Sequence, residues 1–168
     1  WGTEIAVTAT GSSTYGRLVQ MCYDHGTGDQ VILTYGVSTT NVYAVAVAIS
    51  GTTMTSGTPV SAISASMGQY ANALAYDTGN SKALMVYGAG ATSGNATITY
   101  SVITLGTQAD FIGVVGGAPS QYAYGFLNAL TYSSHSSNFV FMYVNTTEED
   151  GFVTTVSISG TTNTWSDN

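Results

Sequence analysis

The chain has 168 residues, with nine acidic and only two basic ones, and its formal net charge is −7. Hydrophobic residues make up 44%, which excludes a disordered chain and favours one domain with a sizeable core. A nucleic-acid surface needs clustered Lys and Arg, so this composition excludes one. We also expect no membrane insertion, because no run of about 18 apolar residues is present.

The first sixteen residues are predicted to form only part of a repeat. The stretch "WGTEIAVTA" resembles "SGTPVSAIS", which begins at Ser56, and both precede a Tyr-Asp pair at a similar distance. We therefore interpret residues 1–16 as part of a fourth strand. Residues 17–66, 67–119 and 120–168 are predicted as three repeats of one domain, the last of them truncated.

The repeat is defined by two tyrosines that move together along the chain. The first is at positions 23, 76 and 132, and the second is at 35, 87 and 143. The phrase "ISGTT" follows the second tyrosine in repeats 1 and 3, and "TLGTQ" is a weaker version in repeat 2. The period is about 53 residues, which indicates a repeat architecture.

Each repeat is predicted to contain four short strands separated by turn signals. In repeat 1 these are Arg17–Asp24, Gln30–Tyr35, Asn41–Ser50 and Thr53–Ile63. In repeat 2 they are Tyr70–Asp77, Lys82–Tyr87, Ala96–Leu105 and Asp110–Val115. In repeat 3 they are Gly125–Tyr132, Asn138–Val144 and Gly151–Ser159, followed by a stub from Thr161. No helical periodicity is visible, so helix should be nearly absent.

The fold class is predicted as all-β, with three four-stranded antiparallel repeats in a β-propeller-like arrangement. Several strands are apolar on both faces, and such sheets must be covered on both faces. Stacked four-stranded sheets of this kind form propeller blades. A β-trefoil, which also has three four-stranded repeats, is the alternative, and a sandwich or solenoid is less favoured.

Three repeats are fewer than the four to eight blades of closed propellers, so we expect association. The C-terminal "ISGTTNTWSDN" stops before the "GTPV" ending of "ISGTTMTSGTPV". The N-terminal piece of one chain would complete the third sheet of another, giving a homo-oligomer or filament. The residues assigned to this assembly are Trp1, Gly2, Thr3, Ile5, Val7 and Trp165. The alternative is that the N-terminal piece is an ordinary edge strand of a single-chain domain.

The phrases "AYDTGNSKALMVY" and "ISGTTMTSGTPV" resemble repeats of bacteriophage tail-fibre and surface proteins. The resemblance covers residues 17 to 168 and is weakest at "TLGTQADFIGVVGG", where "GTPV" is missing. It implies a structural or binding role on a virion or other extracellular surface, and it carries no catalytic motif.

Two sets of residues are candidates for binding. Asp24 and Asp29 flank a Gly-rich turn, as carboxylates around Ca²⁺ do, although the same residues favour such turns for backbone reasons. No other cofactor is expected. Tyr15, Tyr70, Tyr122 and Tyr124 lie near the starts of first strands, and exposed tyrosines suit stacking against sugars.

The sequence thus predicts a non-enzymatic structural or adhesion module that assembles through exchange of terminal strands. The alternative is a carbohydrate-binding lectin with shallow sites between repeats. A propeller glycosidase is disfavoured, because it needs converging acids and arginines and Arg17 is the only arginine.

Overall fold

The structure is a computed structural model that describes a set of segments of the chain. These are residues 4–5, 20–24, 29–36, 42–63, 67–89, 96–105, 111–117, 123–124, 126–145, 150–160 and 162–166. Within these ranges the chain forms antiparallel strands and no helix, which confirms the all-β prediction. None of the described segments is a helix that is long and apolar enough to cross a membrane.

Sheet 1 is built from the first five strands of the chain. They are β1 (Gln20–Asp24), β2 (Gln30–Gly36), β3 (Val42–Ser50), β4 (Thr53–Ser56) and β5 (Val60–Ile63). The order is β1-β2-β3-β4, and β5 also pairs with β3. The predicted single strand Thr53–Ile63 is therefore two strands, separated at Gly57–Pro59. Proline has no N–H for the ladder, which explains a break at this point.

Sheet 2 follows the same order of connections. It contains β6 (Met67–Asp77), β7 (Lys82–Ala89), β8 (Ala96–Leu105) and β9 (Phe111–Gly117), and β10 (Ala123–Tyr124) also pairs with β8. The predicted bounds Ala96–Leu105 are confirmed, and the other three strands differ from their predicted ends by one to three residues. The short strand β10 was missed, because two residues carry no periodic signal.

Sheet 3 contains the last four strands in the order β11-β12-β13-β14. They are β11 (Phe126–Ser133), β12 (Asn138–Asn145), β13 (Asp150–Ser159) and β14 (Thr162–Trp165). The stub predicted from Thr161 corresponds to β14, which forms a hairpin with β13. A bulge lies between Leu127 and Ala129, where the register of β11 against β12 shifts.

The three sheets pack face to face, with sheet 2 in the middle. Each sheet has a large face, which carries the tyrosine of its second strand, and a small face on the other side. The small face of sheet 1 meets the large face of sheet 2 in one buried cluster, which includes Ala44, Ala46, Tyr76, Met85 and Tyr87. The small face of sheet 2 meets the large face of sheet 3 in a second, which includes Leu84, Val86, Phe139, Phe141 and Tyr143. Both faces of the middle sheet are thus covered.

Corresponding hairpins adopt the same backbone conformations. Gly51 and Gly160 follow the third strands of sheets 1 and 3, with φ of 59° and 62°. Ser50 pairs with Thr53 and Ser159 with Thr162, so each glycine is the first of two loop residues. A two-residue hairpin loop of this type favours glycine at that position. The "SGTT" phrase is therefore a turn requirement.

We expect Gly160→Ala to destabilise the protein, because a Cβ at positive φ is strained even though nothing lies within 4 Å of it. The free energy of unfolding should fall by about 1–2 kcal/mol in urea denaturation. Gly151→Ala is the matched control: its added Cβ also meets nothing within 4 Å, its φ is ordinary, and it lies in a strand. Equal effects at both positions would contradict the turn assignment.

Candidate assembly surface

Sheet 3 differs from the other two sheets in the strands that pair with the outer side of its third strand. In sheet 1, β4 pairs with the end of β3, and β5 pairs with its start, Val42–Ala44. In sheet 2 the start of β8 pairs with β10 through Ala96 and Thr97. In both sheets this second short strand belongs to the segment that leads into the next sheet. Among the described residues, no such strand pairs with the start of β13.

Strand β14 occupies the same position in sheet 3 as β4 does in sheet 1. Val47 pairs with Ser56, and Val156 pairs with Trp165 at the corresponding place. One residue later, Gly57 N–H donates to the Ala46 carbonyl at 2.9 Å, and Ser166 N–H donates to the Thr155 carbonyl at 3.0 Å. The register of the two hairpins is therefore the same as far as Ser166.

Of the residues assigned to assembly, the structure places Trp165 and Ile5. Trp165 ends β14, opposite Val156 in sheet 3, and its role in assembly stays a prediction. Ile5 is half-buried and lies outside the strands. Trp1, Gly2, Thr3 and Val7 lie outside the described residues, so strand exchange through them stays a prediction.

Two sheet faces point outwards from the stack. The outward face of sheet 1 is its large face; its exposed members are Met21, Tyr23 and Met54, which are 65%, 38% and 38% exposed. The outward face of sheet 3 is its small face, on which Met142 and Val153 are 46% and 49% exposed. On sheet 3 the exposed apolar side chains Met142 and Val153 mark the face as a candidate interaction surface. On sheet 1 the centre of the face, Tyr35, Val45 and Val47, is buried, and only its margins are exposed.

The two predicted calcium ligands make separate contacts within the chain. Asp24 is fully buried and accepts a hydrogen bond from Gln30 Nε2 at 2.7 Å. Asp29 is exposed and accepts one from the Tyr23 hydroxyl at 2.5 Å. Among the described residues, no three His, Cys, Asp or Glu side chains cluster as metal ligands would. These bonds link side chains at the two ends of the β1–β2 connection, and calcium binding at Asp24 and Asp29 stays a prediction.

A hydrogen-bonded carboxylate that sequence reasoning did not single out links sheets 2 and 3. Asp77 is buried, and its Oδ1 accepts the Gly79 and Asn80 backbone N–H groups at 2.8 and 3.2 Å. Asn80 Nδ2 donates to Oδ2 at 2.7 Å. The Tyr132 hydroxyl of sheet 3 also donates to Asp77, and this bond raises the pKa of Tyr132. In the sequence, the signal for this role was the Tyr-Asp pair that occurs at positions 23–24 and again at 76–77.

The single cysteine lies at the edge of the first buried cluster. Cys22 is half-buried in β1 and packs against the core between sheets 1 and 2. Burial, with the nearby Asp24 carboxylate as a second cause, raises its pKa to about 12. The thiol is therefore neutral at physiological pH, when reactive cysteines are ionised, and it serves as a small apolar side chain.

Two of the four predicted sugar-binding tyrosines lie among the described residues, and these two are not brought together. Tyr70 is in β6 and Tyr124 is in β10, which lie at opposite edges of sheet 2. Tyr15 and Tyr122 lie outside the described residues, so carbohydrate binding at these four tyrosines stays a prediction.

In comparisons with known proteins, no family model matches the chain, and no curated relative or solved structure matches it. The function must therefore be inferred from the chain's own residues.

We expect Tyr132→Phe to lower the free energy of unfolding by about 1 kcal/mol, because Asp77 loses a donor. This loss is smaller than that usually caused by removing a hydrogen bond to a charged acceptor, because Tyr132 is only half-buried and solvent weakens the bond. Because the pKa of Tyr132 is raised in the folded state, the stabilising effect of this hydrogen bond depends on pH. The neutral phenol contributes fully below the unfolded-state pKa of about 10, and this contribution is lost as pH rises through the folded-state pKa.

The control for this prediction is Tyr23→Phe, which removes the same hydroxyl from the exposed acceptor Asp29. Urea denaturation of both variants at pH 7 and pH 11 should show a clearly smaller change for Tyr23→Phe at pH 7. The loss caused by Tyr132→Phe should shrink at pH 11. Equal losses for the two variants at pH 7 would contradict the assigned role of Asp77.

Proposed function

We propose that the chain is a non-enzymatic structural or adhesion module of a viral, phage-type fibre or cell-surface assembly, and that it assembles with copies of itself. The observation that carries the proposal is the β13–β14 hairpin, which repeats the register of the β3–β4 hairpin as far as Ser166. In sheet 1 the chain continues from that hairpin into β5, which pairs with the start of β3. Addition of a strand to a sheet edge is a common way for chains to associate.

The N-terminal segment has the sequence that this position requires. Residues 2–7, "GTEIAV", resemble residues 57–62, "GTPVSA", which lead into and form most of β5. Strand β5 covers the start of β3 in sheet 1. A copy of the same pattern from another chain would add to sheet 3 as β5 adds to sheet 1, which is strand addition to a sheet edge.

The finer architecture that we propose is propeller-like. The first strand of the middle sheet, β6, lies close to β1 on one side and to β11 on the other. First strands that approach one another while the sheets pack face to face are expected where blades surround a common axis. Three such sheets in one chain would occupy part of a ring, and further copies would supply the rest. A trefoil does not predict face-to-face packing of whole four-stranded sheets.

The composition supports a structural role. The chain has few charges, and its polarity comes from Ser, Thr and Asn side chains, which suit a strand-rich scaffold. The buried carboxylates Asp24 and Asp77 are both occupied in hairpin hydrogen bonds. We also propose an extracellular or virion-surface location, as the resemblance to tail-fibre repeats implies.

The test is deletion of residues 1–9, with the mass in solution as the readout. The full chain should associate, so that light scattering after size exclusion gives at least twice the 17.3 kDa chain mass. The deletion variant should be largely monomeric yet retain its β circular-dichroism spectrum. A variant with residues 1–9 in scrambled order is the control and should also be monomeric.

Two results would contradict the proposal. Either the full chain runs as a 17.3 kDa monomer at micromolar concentration, or the deleted and scrambled variants associate as well as the full chain does.

A further inference from the structure

A row of apolar side chains crosses the outward face of sheet 3. Ala129, Met142 and Val153 are paired in register across β11, β12 and β13, so their side chains are neighbours on one face. All three are exposed, and Met142 and Val153 are almost half exposed. Two large apolar side chains placed side by side in the middle of a sheet, rather than singly, indicate a contact surface.

The corresponding row is buried in the other two sheets. In sheet 1 it contains Thr34 and Ala44, which are fully buried. In sheet 2 it contains Ala73 and Val86, and Val86 belongs to the buried cluster that sheet 2 forms with the aromatic rings of sheet 3. Sheet 3 therefore exposes the position at which each of the other two sheets is covered.

Among the described residues, no other sheet face is exposed at its centre. The small face of sheet 1 is buried against the large face of sheet 2, and the small face of sheet 2 is buried against the large face of sheet 3. On the large face of sheet 1, the central residues Tyr35, Val45 and Val47 are 7%, 0% and 4% exposed. If two copies meet through the middle of a sheet, the outward face of sheet 3 must therefore supply both halves of the contact.

The outward face of sheet 3 carries no charged side chain among its described residues. Besides the apolar row it includes Val140 and the uncharged polar side chains of Thr131, Asn138, Thr155, Ser157 and Thr164. The net charge of the chain is −7, so two copies repel each other wherever their acidic side chains meet. Contact between two uncharged faces avoids this repulsion and buries no ionised group, whereas a charged partner finds no opposite charge here.

The size of this face suits a weak dimer. Four strands span about 19 Å across the sheet, and the eight residues of β12 span about 26 Å along it, so each copy offers about 500 Å². Two copies would bury about 1,000 Å² in total, which is the lower limit for a specific interface and is typical of transient ones. We therefore expect a dissociation constant on the order of 0.1 mM.

We propose that the outward face of sheet 3 packs on the same face of a second copy, to which it is related by a two-fold axis. The axis passes near Met142 and Val153, so the apolar row of each copy is covered by the row of the other. Methionine suits such a contact, because its flexible side chain fills irregular gaps. The interface is isologous and closes after two copies.

This inference shares its partner, a second copy of the chain, with the proposed function, but it concerns a sheet face rather than the terminal strands. The two contacts also differ in strength. The face contact should form at concentrations near 0.1 mM, at roughly a hundredfold higher concentration than the micromolar range in which strand exchange is tested.

The experiment follows the mass of the full chain by sedimentation equilibrium from about 1 μM to about 1 mM. The wild-type mass should double over this range. Met142→Lys should abolish the doubling, because the two-fold axis brings two lysines into one interface, and the dissociation constant should rise about a hundredfold or more. Met142 is well exposed, so the folded chain should tolerate lysine. Ser134→Lys, in an exposed turn, is the matched control and should double in mass like the wild type.

A mixture of charge variants tests the two-fold symmetry. Met142→Glu alone should also fail to double in mass, because two carboxylates meet in the interface. In an equimolar mixture of Met142→Lys and Met142→Glu, opposite charges meet near the axis, so the mass should double again. The dissociation constant of the mixed pair should be at least about tenfold below that of either variant alone. A mixture that associates no better than its components contradicts an isologous contact.

The outcomes separate this proposal from the proposed function. A full chain that is monomeric at about 1 μM but doubles in mass near 1 mM, with loss of the doubling in Met142→Lys, retains the face contact and overturns strand exchange. A wild type that does not double, or a Met142→Lys variant that doubles equally, overturns the face contact, and deletion of residues 1–9 then decides strand exchange separately. Circular dichroism and thermal denaturation establish that each variant is folded.

Discussion

The contact on which the rest of the structure depends is the packing of the large face of one sheet against the small face of the sheet before it. Alanines at 44 and 46 leave room for the tyrosines and methionine of sheet 2, and Leu84 and Val86 receive the aromatic rings of sheet 3. Burial of these rings supplies much of the driving force, since aromatic side chains bury large apolar areas. The difference in side-chain size between the two contacting faces therefore favours both the stacking and its direction.

That direction has a consequence for the ends of the stack. The small outward face of sheet 3 exposes Met142 and Val153, whereas the centre of the large outward face of sheet 1, Tyr35, Val45 and Val47, is buried. The two ends of the stack therefore differ in how much apolar surface they expose.

The sequence predicted the strands well because period-2 alternation and turn residues coincide in this chain. The tyrosines at 35, 87 and 143 fixed the register of the second strands, and the glycines at 51 and 160 marked turns that require positive φ. The break between β4 and β5 and the short strand β10 were not predicted, because the separate pairing of β5 and β10 depends on distant residues in β3 and β8. The role of Asp77 was also hidden, since its partner Tyr132 belongs to another sheet.

The central claim, that sheets stack through large and small faces, is tested most directly by a double-mutant cycle between Leu84 and Phe141. These residues belong to different sheets and to one buried cluster. Leu84→Ala and Phe141→Ala should couple by about 0.5 kcal/mol or more in urea denaturation. Met85→Ala combined with Phe141→Ala, on opposite faces of sheet 2, should be nearly additive. Additivity for Leu84 and Phe141 would contradict the stacking.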